Sequence, residues 1–331
     1  MNELPRRRFL AAGGALLLAQ AGARGATHEK PSPPPPPKAL PRFWLEAPTL
    51  PLWPSGPPET GFMPQPRPAD WTPVFVSNVA QPELRVFRPA RANGQALLVV
   101  PGGAYWFVSV GNEGADLAER MTALGITVFV LTYRLPGEGW KNRSAVPLQD
   151  AQRAMRVIRA NASRFAIDAT RVSVVGFSAG GHLTATLTTQ HAEQTYARVD
   201  AADELSPRPF AAGLVYPVIT METAWTHAKS RELLLGESPS TQEVEHRSAE
   251  RHVDASTPPV FLVHAFDDEA VPVENSLRFM NAMRAAKRPV EAHLLQEGGH
   301  AFGVGWPRTP SESWTSLFAT WLSGLGKGGA H

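Results

Sequence analysis

The sequence of 331 residues contains no cysteine and only 4 tyrosines. Without cysteine there is no disulfide framework, no thiolate nucleophile and no thiolate metal site, so stability must come from core packing. An excess of one charge is missing too, since 32 Lys and Arg stand against 30 Asp and Glu. Arg6, Arg7 and Arg8 against Glu3 account for that whole difference. The rest of the chain is balanced, and no nucleic acid or other polyanion is expected as a partner. Residues 9–19 form an apolar stretch of eleven residues, too short for a bilayer core of about 30 Å, so no stable membrane span is expected. No segment repeats at a period of about 20 to 50 residues, which argues against solenoids and propellers.

What is present divides the chain into parts. Residues 1–23 combine a basic start, the apolar stretch, and small residues at Ala21 and Ala23 that suit cleavage. Arg6 and Arg7, followed by Arg8, Phe9 and Leu10, resemble a twin-arginine signal. The export machinery is the expected partner, and a periplasmic or secreted protein the expected outcome; an ordinary secretory leader or an uncleaved anchor is the alternative. Residues 24–44 include PSPPPPP, an extended semi-rigid spacer. Residues 45–325 read as one catalytic domain, and the Gly-rich 326–331 as a flexible tail. Trp44, Trp53 and Trp71, among dense Pro and Gly, suggest an irregular segment laid over the domain surface.

Beyond residue 83, short β-rich runs alternate with helical patterns. Strands are expected at 84–87, 96–100, 126–133, 172–176, 211–216, 259–264 and 290–295, several of them apolar throughout, as strands covered on both faces require. Helices are expected at 113–124, 147–165, 179–191, 273–286 and 311–323. In 147–165, Leu148, Ala151, Met155, Ile158, Ala162 and Phe165 mark one apolar face, with Arg153, Arg156 and Arg159 opposite, and Pro147 suits the first turn. Such alternation predicts an α/β fold with a mostly parallel sheet, helices on both faces, and a ligand site at the carboxyl ends of the strands.

The segment VSVVGFSAGGH brings Gly176, Ser178 and Gly180 into a G-x-S-x-G pattern at a strand-to-helix junction. A serine that merely caps the helix is the plain alternative. A reactive serine needs an imidazole base, and the imidazole needs a carboxylate, in the order serine, acid, histidine. Downstream, PVFLVHAFDDEAVP ends a buried strand in Asp267 and Asp268; loop length favours Asp268, leaving Asp267 as a turn or capping residue. QEGGHAFG puts His300 in a Gly-rich loop after the last strand, whereas His293 lies within that strand and His331 ends the tail. LLVVPGGAYW ends a strand at a turn suited to an oxyanion hole, with Gly103, Ala104 and Ala179 as donors and Gly102 shaping the turn. Tyr105, Trp106 and Trp306 are candidate substrate residues, the tryptophans as platforms for sugar rings. His182 and Asp150 are candidates for supporting roles.

In this order PGGAYWFVSVGNEG, YRLP, PLQDAQRAMRVIR, GFSAGGHL, YPVIT, HAFDDEAVPVENSLRF and EGGHAFG resemble the α/β-hydrolases of the acetylxylan and feruloyl esterase type, relatives of the hormone-sensitive-lipase-like carboxylesterases. The similarity spans about residues 45–325. It implies an α/β-hydrolase fold, Ser178 as nucleophile, Asp268 as acid, His300 as base, and no metal or organic cofactor. Pro101, Ala104, Ala265 and Ala301 depart from the histidine and glycines common in such enzymes, which bears on rate and substrate. About forty residues separate YPVIT from PVFLVH, leaving little room for a large lid. The expected reaction is hydrolysis of acyl esters, acetyl first, on carbohydrate such as acetylxylan. A carboxylesterase or lipase acting on small or lipid-like esters is the alternative, with a peptidase or a catalytically dead sugar binder behind it.

Overall fold

The computed structural model describes residues 39–325. The leader, most of the Pro-rich spacer and the tail lie outside the described residues. The strands among the described residues are β1 Thr49–Pro51, β2 Phe75–Val76, β3 Glu83–Phe87, β4 Ala96–Val100, β5 Val108–Ser109, β6 Thr127–Thr132, β7 Val172–Phe177, β8 Ala212–Val215, β9 Val260–Ala265 and β10 Val290–Leu295. The α-helices among the described residues are α1 Arg42–Glu46, α2 Asp116–Ala123, α3 Val146–Ala160, α4 Ala162–Phe165, α5 Ser178–Thr189, α6 Ala228–Leu235, α7 Thr241–His246, α8 Glu274–Ala285 and α9 Trp314–Leu325.

Eight strands form one sheet in the order β1-β3-β6-β4-β7-β8-β9-β10. β1 and β3 pair antiparallel at one edge, and every pairing from β6 through β10 is parallel. Every residue of β4, β7, β8 and β9 is buried, which explains why these strands lack the alternation of half-exposed ones. Helix α5 packs on β7 and β8, α2 on β6, and α8 and α9 on β9. This is the α/β-hydrolase arrangement, with no lid domain among the described residues.

Several boundaries differ from the sequence reading. The helix expected over 113–124 opens with a π-helical turn, Gly111–Ala115, before α2. The one expected over 147–165 divides at Asn161, and Ala166 ends α4 in the left-handed region at φ 53°. α9 follows a 3-10 turn, Pro310–Ser313. Arg153 is buried rather than facing solvent, because Asp200 and Asp203 pair with its guanidinium. Asp150, a candidate for a supporting role, sits in the core, where it accepts from the Arg134 side chain and from Trp53 Nε1. The chain already packs on the domain at Trp44, within the last residues of the expected spacer, since α1 buries that indole.

Candidate active site

The site is built at the carboxyl ends of β4, β7, β9 and β10, with β8 lying between β7 and β9. β7 runs into α5 with no intervening loop, so Ser178 takes φ 50°, a left-handed conformation costly for a residue with a Cβ. Such a turn needs α5 close to β4. A methyl group on Gly180 would run into the carbonyl oxygens of Val100 and Pro101, so only glycine allows that approach.

His300 Nε2 lies 2.9 Å from Ser178 Oγ, and His300 Nδ1 lies 2.7 Å from Asp268 Oδ2. A carboxylate only accepts, so Nδ1 carries the proton and Nε2 is free to take the serine hydrogen. Asp268 is held by three further donors. His264 Nε2 reaches Oδ2 at 3.1 Å, while the N–H groups of Ala270 and Val271 reach Oδ1 at 3.0 and 2.8 Å. Burial pushes the pKa of this carboxyl up, yet hydrogen bonds from His264 and His300 prevail and hold it well below the usual carboxylate range. It is therefore a fixed anion. Asp267 turns the other way and accepts from Gly298 and Gly299 N–H at 2.8 Å each, tethering the loop that carries His300. On its far side, Trp314 Nε1 donates to Gly303 O and Asn112 Nδ2 to Ala301 O.

After β4 the chain turns sharply. Gly103 sits at φ 123°, where a side chain would meet the Phe107 carbonyl, and Ala104 and Tyr105 follow at φ 57° and 60°. Among the described residues, the N–H groups of Gly103, Ala104 and Ala179 meet no backbone acceptor, and all three belong to the segments flanking Ser178. Backbone donors so placed suit a developing oxyanion.

Two consecutive positive φ values redirect the side chains that follow, and this corrects the expectation for Tyr105. It is buried, and its hydroxyl bonds to His182 Nδ1 at 2.8 Å, so it cannot touch substrate. Burial raises the Tyr105 phenol well above its ordinary value, so it remains a neutral donor. His182 Nε2 bonds the Arg247 carbonyl at 2.7 Å. Trp106 is also displaced from its expected place. It stands exposed outside the cavity wall against Trp71, ring centres 4.9 Å apart, and Phe107 faces the cavity instead. Trp306 does line the cavity.

Ser178 and His300 open into a cavity of about 760 Å³ whose walls include Val74, Phe75, Phe107, Phe302, Val304 and Trp306. Sequence reasoning missed most of this lining. Phe107 lies one residue beyond the quoted oxyanion segment, but Val74 and Phe75 come from the irregular N-terminal wrap, which carries no chemical signal. It also missed Glu113 and His227, which reach the same cavity.

With the geometry described, comparison with known proteins is informative. The BD-FAE family profile matches residues 84–283, well over half of the chain. The chain belongs to the BD-FAE family. Among other family-like proteins, endo-1,4-beta-xylanase B of Butyrivibrio fibrisolvens is 37% identical over 208 residues, 63% of this chain and 32% of its own length. Acetylxylan esterase of Xylanibacter ruminicola is 30% identical over 234 residues, 70% of this chain and 45% of its own. The chain thus spans less than half the length of these two relatives. The solved acetyl ester-xyloside bifunctional hydrolase from Caldicellulosiruptor lactoaceticus superposes with a TM-score of 0.69 at 32% identity, covering 81% of this BD-FAE chain and 97% of that one.

Proposed function

We propose that this BD-FAE protein is a serine esterase that removes acyl groups, acetyl first, from carbohydrate such as acetylxylan. The observation that carries the reading is the continuous Ser178–His300–Asp268 hydrogen-bond relay opening into the cavity. His300 Nε2 takes the Ser178 proton as Oγ attacks the ester carbonyl, and the N–H groups of Gly103, Ala104 and Ala179 receive the oxyanion. The C–O bond then breaks, His300 returns the proton to the departing alcohol, and Ser178 is left acylated. Water, deprotonated by the same imidazole, attacks the acyl-enzyme, and His300 hands that proton to Ser178 Oγ as the Oγ–acyl bond breaks and the acid leaves. Each oxyanion donor contributes about 3 to 4 kcal/mol to that transition state. The names borne by the Xylanibacter and Caldicellulosiruptor proteins support acetyl esters of xylan-type sugars as substrates.

The mostly apolar cavity wall favours a second reading, a broad carboxylesterase for small or lipid-like esters. Rates on acetylated xylan and on nitrophenyl acetate, butyrate and longer esters separate the two: the carbohydrate reading requires acetyl release from xylan and a fall with acyl length. Ser178→Ala is expected to lower kcat roughly 10⁵-fold or more, with an unchanged circular dichroism spectrum; wild-type turnover in that variant would overturn the proposal. We also propose that the leader exports the protein, which suits work on a polymer outside the cell.

A further inference from the structure

We infer that Glu113 is a positioning residue of this site, whose buried carboxylate joins the oxyanion turn to the loop of the base and sets a second negative charge beside His300. The inference rests on the serine-esterase reading above. Glu113 occupies the π-helical turn Gly111–Ala115, a wide turn of a kind concentrated at functional sites. Only 3% of Glu113 is exposed, and it borders the cavity. Its Oε2 accepts from the Gly102 N–H at 2.6 Å, the amide immediately before the oxyanion residues Gly103 and Ala104. Its Oε1 accepts from the Tyr216 hydroxyl at 2.9 Å. That hydroxyl in turn accepts from the Gly303 N–H at 3.0 Å, three residues beyond His300. The Tyr216 ring packs on the His300 ring with centres 4.8 Å apart. One carboxylate therefore holds both halves of the site at once.

A carboxylate so deeply buried is costly to keep unless something compensates. The facing groups identify the compensation. Burial pushes the Glu113 carboxyl above its ordinary value, and the Gly102 N–H, the Tyr216 hydroxyl and the charge of His300 offset part of that rise. Burial raises the Tyr133 and Tyr216 phenols, and the Glu113 carboxylate adds to the rise at both. His300 faces Asp268, Glu113 and, across the cavity, His227. Two carboxylates and one neighbouring imidazole thus surround the base. A negative charge at Glu113 favours the imidazolium that forms in both chemical steps, and the hydrogen bonds from the same group keep the oxyanion turn and base loop in register.

Glu113→Gln separates charge from shape. The amide oxygen still accepts from Gly102, but the charge is gone. The expected result on nitrophenyl acetate is a kcat about tenfold lower, KM near wild type, and an acid limb of kcat/KM moved to lower pH because the imidazolium has lost a stabilising neighbour. Glu113→Ala removes charge and clamp together and should lose about tenfold more. An NMR titration of the His300 ring in wild type and Glu113→Gln needs no turnover and should show the same downward displacement. A wild-type acid limb and His300 titration in Glu113→Gln would overturn the inference. Wild-type protein inactive on every ester would instead refute the esterase reading, with the NMR comparison still deciding the case for Glu113.

Discussion

Asp268 accepts from two imidazoles and two backbone amides, while its neighbour Asp267 accepts from the glycines before His300. Adjacent and chemically identical, the two carboxylates differ only in direction. His182 illustrates the same dependence on surroundings. Burial pushes its imidazole down to about 4, against a weaker opposing effect from the Arg247 carbonyl. The folded value therefore lies below the unfolded one of about 6.5. Between these values the unfolded chain binds a proton that the native protein refuses, so stability decreases as pH falls from about 6.5 toward 4, by roughly 3 kcal/mol across the window. His182→Gln, which can still accept from Tyr105 and donate to Arg247, is expected to flatten the dependence of the melting temperature on pH between about 7 and 4.5. An unchanged slope would place the acid sensitivity elsewhere. Tyr105 shows where reading along the chain fails at this scale. Alternation predicts which side a residue faces only while φ stays negative, and Ala104 and Tyr105 both depart from that.

At the scale of elements, strands fully buried in the sheet were legible because short, predominantly apolar runs such as ALLVV in β4 and VFLV in β9 admit few other readings. β2 and β5 have two residues each, too few to display any period, and their pairing of Phe75 with Ser109 and Val76 with Val108 is visible only once the chain has folded. This small ladder brings the N-terminal wrap to the cavity, where Val74 and Phe75 form part of the wall. The wrap is latched by Glu138, whose carboxylate accepts the N–H groups of Asn78 and Val79 and whose carbonyl accepts from Met63. Glu138→Ala leaves two amides without their acceptor and should cost about 1 to 3 kcal/mol. Limited proteolysis should then cut within residues 60–80 faster than in wild type, and KM for bulky esters should rise more than kcat falls. An unaltered cleavage pattern would show that Glu138 does not hold the wrap.

For the whole molecule, the proposed leader and the domain make separate demands. Replacing Arg6 and Arg7 with lysine should leave the proposed ester hydrolysis by the purified protein unaffected but retain the protein in the cytoplasm, as cell fractionation would reveal; normal export would rule out the twin-arginine route. Within the domain, the sequence alone determined the α/β class and singled out Ser178 and His300 as the proposed nucleophile and base, because strand period, glycine at a tight junction and the chemistry of acyl transfer are local or ordered constraints. Tertiary structure decided which of two aspartates meets the imidazole, which aromatic rings face the cavity, and that Glu113 reaches Tyr216, 103 residues away along the chain. Those outcomes depend on direction and distance between segments remote in sequence, and a linear pattern of residue types carries neither.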